Sequence, residues 1–197
     1  MHYDVLKHKT LKCRMFPAFF VLQLLITTVA SAQVSEITLE QIEERNGIAY
    51  ILSTDSAFSG KCTSTYASGA RQHEESFVKG IKHGKYLVWY ENDSLMGEYF
   101  FNNGILDNRF TLFFSNGNKM MEGSYMMGKE VGCWTTWYEN GQIQETIEYS
   151  AGIKNGAYKN WHVNGQINIS GKYKHDKKKG VWRKYSAEGK KETTEYF

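Results

Sequence analysis

Beyond residue 17 the sequence contains no proline at all. A strand ladder therefore meets no residue lacking an N–H donor, and uninterrupted sheet is permitted throughout. Cysteine is almost as scarce: Cys13, Cys62 and Cys133 are the three in the chain. Histidines are few, and beyond the first 32 residues no pair has the i, i+4 spacing that puts two ligands on one helix face. There is no P-loop, and no Cys–His pairing recurs. The longest apolar run, Met15 to Ile26, is too short for a span of about 20 residues and carries Pro17 and Gln23.

That run instead completes a leader. Lys7, Lys9, Lys12 and Arg14 precede it, and Ala30 and Ala32 follow in an A-x-A pattern. These features predict a signal peptide over 1–32, cleavage before Gln33, and a periplasmic or secreted chain. The leader holds all of the +3 net charge, so its removal leaves a neutral protein. Nucleic-acid affinity therefore has no support in the overall balance. Neutrality hides a gradient: residues 33–150 carry 9 basic and 16 acidic side chains, and residues 151–197 carry 11 and 4.

What is abundant is glycine at fixed intervals. Gly60, Gly84, Gly132, Gly156 and Gly180 mark a 24-residue beat, and Asn108 fills the missing position. Asn is the usual substitute where the backbone needs a positive φ. Nine residues after each beat stand Gly69, Asp93, Gly117, Gly141, Gly165 and Gly189. Twenty after it stand Gly80, Gly104, Gly128, Gly152 and Asp176, and seventeen after it an aromatic recurs every time, from Phe77 to Phe197. A fixed period of this size denotes a repeat array.

Each unit reads as two strands, one from the beat residue to offset +6 and one over about +11 to +18. Asn140-Gly141 and its equivalents give the tight hairpin turn, and a wider glycine turn such as 151–156 returns the chain. Two strands and two turns leave no room for a crossover helix, so neighbours run antiparallel. The expected fold is all-β: an elongated single-layer antiparallel sheet of about six 24-residue β-hairpin repeats, starting near 60, 84, 108, 132, 156 and 180. Residues 33–59 form an N-terminal cap, in which Asn46-Gly47 and Ile48 to Leu52 suggest a hairpin that starts the sheet. Cys62 and Cys133 lie three units apart, very roughly 29 Å at strand spacing, which predicts no bridge between them.

The fourth unit, Gly132-Cys133-Trp134-Thr135-Thr136-Trp137-Tyr138-Glu139-Asn140-Gly141-Gln142, resembles the bacterial MORN-repeat variant family. The fifth (Gly156, Trp161, Asn164, Gly165, Gln166, Tyr173) and the second (Gly84, Trp89, Tyr90, Asn92) are similar to it. Departures fall at Asn108, Thr65 and His162. The resemblance covers about 45–197 and implies a hairpin array used for binding proteins or membranes. It also brings the antitoxin label that many bacterial members carry, which fits poorly with an exported chain.

Even offsets share one sheet face, so Tyr86, Phe110, Trp134, Tyr158 and Trp182 at +2 point one way. Trp89, Phe113, Trp137, Trp161 and Tyr185 at +5 point the other. One layer cannot easily bury both rows, and the +5 row is the expected partner-binding surface. The competing expectation is that long neighbours such as Lys159 and Arg183 cover these rings. Glu74, Glu98 and Glu122 recur at +14, about 10 Å apart, too far to share a cation; they read as a solvated face. His162 reads as a structural stand-in for an aromatic at +6. Lys177, Lys178 and Lys179 form a basic turn able to touch a membrane surface. No catalytic residue, metal or cofactor is expected. The function so read is a non-enzymatic exported scaffold binding a protein or surface polymer; an immunity-type protein neutralising a specific toxin is the alternative.

Overall fold

A computed structural model describes residues 35–52 and 54–197, and the leader expected over 1–32 lies outside these. Among the described residues there is one 15-stranded sheet and one separate two-stranded sheet. Within each repeat the two strands pair at a constant register: Gly60 opposes Phe77, Gly84 opposes Phe101, and Gly132 opposes Tyr149. The six hairpins follow one another antiparallel, in chain order.

The turns exchange the roles assigned to them above. The tight two-residue turn lies at +19/+20, as in Ala151-Gly152, where φ is 52° and 84° and Ser150 pairs directly with Ile153. Two positive φ values in succession match the strand twist, as type I′ hairpins require. The Asn-Gly turn is one residue longer. Tyr138 donates its N–H to Gln142 O at 2.8 Å, Gly141 donates to Tyr138 O at 2.9 Å, and only Gly141 has a positive φ. Asn140 is thereby freed for another task, described below.

The beat residue is not in a turn either. Gly132 (φ 69°) and Asn108 (φ 67°) sit where the chain passes from one pairing partner to the next. There the register jumps: Glu122 opposes Thr135, yet Ser124 opposes Val131. Extra residues on one strand make a bulge, and bulges demand a positive φ at such points. The wide turn expected over 151–156 is therefore a two-residue turn followed by a continuous bulged strand, Ile153–Trp161.

The cap also departs from expectation. Ile42–Arg45 and Ile48–Ile51 do form a hairpin, but as the separate sheet. The long sheet instead begins with Ser35–Thr38, parallel to Gly60–Thr65. The hairpin is held off the ladder because its inward residue closes the end of the core. Ala49, Phe58, Cys62 and Phe77 form one buried cluster, backed by Ile37, Leu39, Ile42 and Ile51. Ala49 donates to Gly80 O (2.8 Å) and Phe58 donates to Ala49 O (2.9 Å), fixing the cap to the first tight turn. The opposite edge strand, Lys191–Tyr196, reads Lys-Glu-Thr-Thr-Glu-Tyr, a charged edge that discourages further pairing.

Candidate functional site

The two aromatic rows do lie on opposite faces, and they differ in kind. On the +2 face the rings form two stacks, Tyr86 to Trp134 and Tyr158 to Trp182, with Ile147 between them. Tyr86, Tyr99 and Phe110 are parallel neighbours at 5.4 and 4.9 Å, and Phe110 leads to Trp134 at 5.4 Å. The +17 aromatics meet these stacks edge-on, as Tyr125 does Trp134 (5.1 Å, 80°) and Tyr173 does Trp182 (5.0 Å, 77°). Trp134 and Trp182 are 7% and 4% exposed, so this face buries itself within one layer.

The stacks work by matching sizes across repeats. Gly123 and Gly171 lie flat beneath Trp134 and Trp182, and a Cβ at either glycine would fall inside the indole. These two glycines belong to none of the three recurrent positions, and this close approach accounts for them. Where the equivalent +15 residue is larger, at Tyr99 or Ile147, the ring over it shrinks to Phe110 or Tyr158. Burial raises the hydroxyl pKa of Tyr86 to about 12 and pushes Tyr99, Tyr125, Tyr149, Tyr158 and Tyr173 upward too. Tyr158 is pushed further by its hydrogen bond to Glu145 Oε2 at 2.8 Å.

The +5 row is set by the residue beside it. Tyr66 donates its hydroxyl to Trp89 O (2.8 Å), Tyr90 to Phe113 O (2.9 Å), and Tyr138 to Trp161 O (2.7 Å). His162 Nε2 reaches Tyr185 O at 2.9 Å, doing the work of the tyrosine hydroxyl it replaces. Phe114 has no polar atom and interrupts the series. Beside this ladder runs a second. Asn92, Asn116, Asn140 and Asn164 each donate from Nδ2 to a turn carbonyl in the next repeat, at 3.3, 3.2, 3.4 and 2.7 Å. Each also accepts a backbone N–H two residues on, as from Gln142 at 3.0 Å. Nothing in a single hairpin reveals this role, because the acceptor is 23 residues away.

With their backbones so fixed, the five +5 rings are unequally covered. Trp89 is 6% exposed and lies under the Arg71 guanidinium at 4.8 Å. Phe113, Trp137, Trp161 and Tyr185 are half-buried. The cover over Trp89 and Trp137 comes from +11 residues of the preceding repeat, Arg71 and Lys119, while Lys159 and Arg183 are exposed. Further along, the +11 residues are Ile143 and Ile167, directly opposite Trp137 and Trp161. They are 40% and 36% exposed, and Val163 in the adjoining turn is 59% exposed. Exposed aliphatics at +11 are thus confined to the fourth and fifth repeats; the second has the half-buried Leu95, and the third and sixth have Lys119 and Lys191.

The +14 glutamates are held within their own repeats. Glu74 pairs with Lys61 (2.8 Å), Glu98 with Lys85 (2.5 Å) and Glu122 with Arg109 (2.6 Å), joining +14 to +1. Lys119 also binds Glu122, and these hydrogen bonds hold its carboxyl below the usual value. Among the described residues no group of three or more His, Cys, Asp or Glu could hold a metal ion. Cys62 and Cys133 are both free; burial pushes the Cys62 thiol up to about 11, and Cys133 is exposed. The three lysines at 177–179 do not share a face. Lys178 lies over the Trp182 and Phe197 rings at 4.7 and 4.8 Å, whereas Lys177 and Lys179 oppose Lys174 and Lys172 on the other side.

Residues 82–103 and 130–151 match the MORN repeat variant family. Both stretches start two residues after a tight turn and end at the next one, so the family's unit is the hairpin closed by the Asn-containing loop. MORN repeats are generally modules of protein-binding and membrane-associated proteins, and theirs is not a known enzyme family. No curated protein matches the chain. Among the described residues no helix is long and apolar enough to cross a membrane.

Proposed function

We propose that the chain is a non-enzymatic, exported scaffold that binds a protein partner through the apolar ridge of its last three repeats. The observation carrying this reading is the contiguity of Trp137, Ile143, Trp161, Ile167 and Tyr185 on one face, where Ile143 and Ile167 are exposed aliphatics, whereas the early Trp89 is buried under Arg71. Aromatic anchors flanked by partly exposed aliphatics are the composition of interface centres. The backbone beneath is fixed by tyrosine and asparagine ladders, so little ordering is lost on binding. Of the five +5 residues, Trp137, Trp161 and Tyr185 supply the contact, Phe113 lies outside the ridge in the third repeat, and Trp89 supplies stability.

The test is affinity capture from the cell envelope with the full chain and with its Trp137→Ala/Trp161→Ala variant. The reading expects a stoichiometric partner held by the first and released by the second, at unchanged far-ultraviolet circular dichroism. Recovery of the same partner by a folded variant would overturn it. A partner that is itself toxic and is silenced on binding would narrow the reading to an immunity role.

A further inference from the structure

The same face carries a second feature, independent of the ridge, at the tight-turn end of the fifth and sixth repeats. The strand Ile167–Lys174 points Ser170, Lys172 and Lys174 to this side. Its neighbours place a cation opposite each. Lys159 and Arg183 flank Ser170, Lys179 opposes Lys172, and Lys177 opposes Lys174. Along the central strand the result is three rungs of two cations, two residues or about 6.7 Å apart; on the next strand a bulge sets Lys179 and Arg183 four residues apart.

None of these six side chains forms an ion pair among the described residues, although the basic residues at +1 in the first three repeats all do. Nearby carboxylates are engaged elsewhere. Glu148 accepts the Ala157 N–H at 2.9 Å, Glu192 holds Lys184 at 3.0 Å, and Glu195 faces Lys178 at 3.7 Å. Two shallow clefts of about 400 and 310 Å³ both include Lys172 and Lys179 in their walls. Six unpaired cations on so small an area repel one another, a cost that an anionic ligand would relieve.

We propose that these rungs bind a linear phosphodiester polymer with three-carbon polyol spacers. Successive phosphorus atoms in such a chain are six bonds apart. Six extended bonds cover about 7 Å, since one three-bond residue covers 3.3–3.6 Å, and this matches the rung spacing. Two cations per rung neutralise one phosphodiester from both sides. A base-bearing chain fits less well, because the other side chains of this patch are Ala157, Ser170 and Val181, with no ring on which a base could stack. A flat lipid surface fits less well too, because Lys178 is turned to the far face.

Fluorescence anisotropy of the full chain with a labelled glycerol-phosphate oligomer tests this. Three neutralised phosphodiesters predict a salt slope of log K of about −2 for a single-stranded polyanion. Lys172→Gln/Lys179→Gln is expected to weaken binding roughly 30-fold, at about 1 kcal/mol per lysine. Lys79→Gln/Lys129→Gln, of equal charge change, is expected to leave it unaltered. The proposal is overturned by absence of binding at low salt, or by equal losses in the two variants. It is also overturned if a single-stranded oligodeoxynucleotide or anionic vesicles bind better at equal phosphate. Loss of partner capture by the tryptophan variant alone, with polymer binding retained, separates this surface from the ridge.

Discussion

The first three repeats and the last three share one backbone and carry different surfaces. Registers, bulges and both kinds of turn repeat from end to end. Yet Lys61–Glu74, Lys85–Glu98 and Arg109–Glu122 give way to Cys133/Thr146, Ala157/Ser170 and Val181/Thr194, both members of each pair changing together. At +11, Arg71, Leu95 and Lys119 give way to the exposed Ile143 and Ile167 and then Lys191. The early half neutralises its own +14 carboxylates and covers Trp89. The late half leaves apolar rings and cations available. Backbone-directed bonds hold a repeat in place whatever its faces carry, so the faces are free to diverge.

The sharpest way to separate scaffold from surface is to remove one tryptophan from each face. Trp134→Ala should cost about 3–5 kcal/mol, the range for a buried aromatic, and Trp161→Ala distinctly less because its ring is half-buried. Urea midpoints of the two variants measure the difference; equal losses would mean that both faces are core. Gly171→Val should approach the larger value, since its side chain would enter the Trp182 ring.

Titration should split the halves next. The raised tyrosine pKa values occur in both, so alkaline loss should be general. For Tyr86 the contribution is fully present below pH 10 and disappears as pH rises toward about 12. The lowered Glu122 carboxyl acts in the opposite direction. Its contribution is present above the usual value of 4.5 and is lost as pH falls through the lowered one. Acid loosening should therefore be stronger in the third repeat, where Glu122 is held by Lys119 and Arg109, than in the fourth and fifth, and alkaline loosening should reach all of them. Hydrogen exchange resolved by repeat would show this, and uniform acid loosening would contradict it.

A smaller effect should come from mending the interrupted ladder. Phe114→Tyr would let the hydroxyl reach Trp137 O, as Tyr90 reaches Phe113 O, and should raise stability by about 1 kcal/mol. An unchanged thermal midpoint would mean that the ladder positions without stabilising. The smallest effect expected is the coupling of Arg109 with Glu122. A double-mutant cycle should give a small coupling that fades with added salt, because Arg109 is solvated.

Much of this was legible without coordinates. The 24-residue beat implied hairpins, the even and odd offsets separated Trp134 from Trp137, and His162 could be placed as a substitute by its position alone. Alternation along the strand would equally have separated Lys178 from Lys177 and Lys179, which their adjacency disguised. Asn140 was misleading because Asn-Gly is a strong signal for a two-residue turn, whereas here the asparagine is needed to reach Val163 in the next repeat. The cap hairpin was legible at Asn46-Gly47, but its place off the long sheet was not, since that is set by burial of Ala49 against Phe58 rather than by any local pattern.

What the sequence by itself determined is everything that repeats: strand period, turn positions, and the parity that assigns a side chain to a face. These depend on neighbours a few residues away, and the chain states them six times. Only the tertiary structure decided which +15 residue lies under which +2 ring, which +11 side chain covers which tryptophan, and which cations are left without a carboxylate. Those are relations between strands of different repeats. They depend on the bulged register at Gly132 and its equivalents, which shifts the partners by residues that no single unit can reveal.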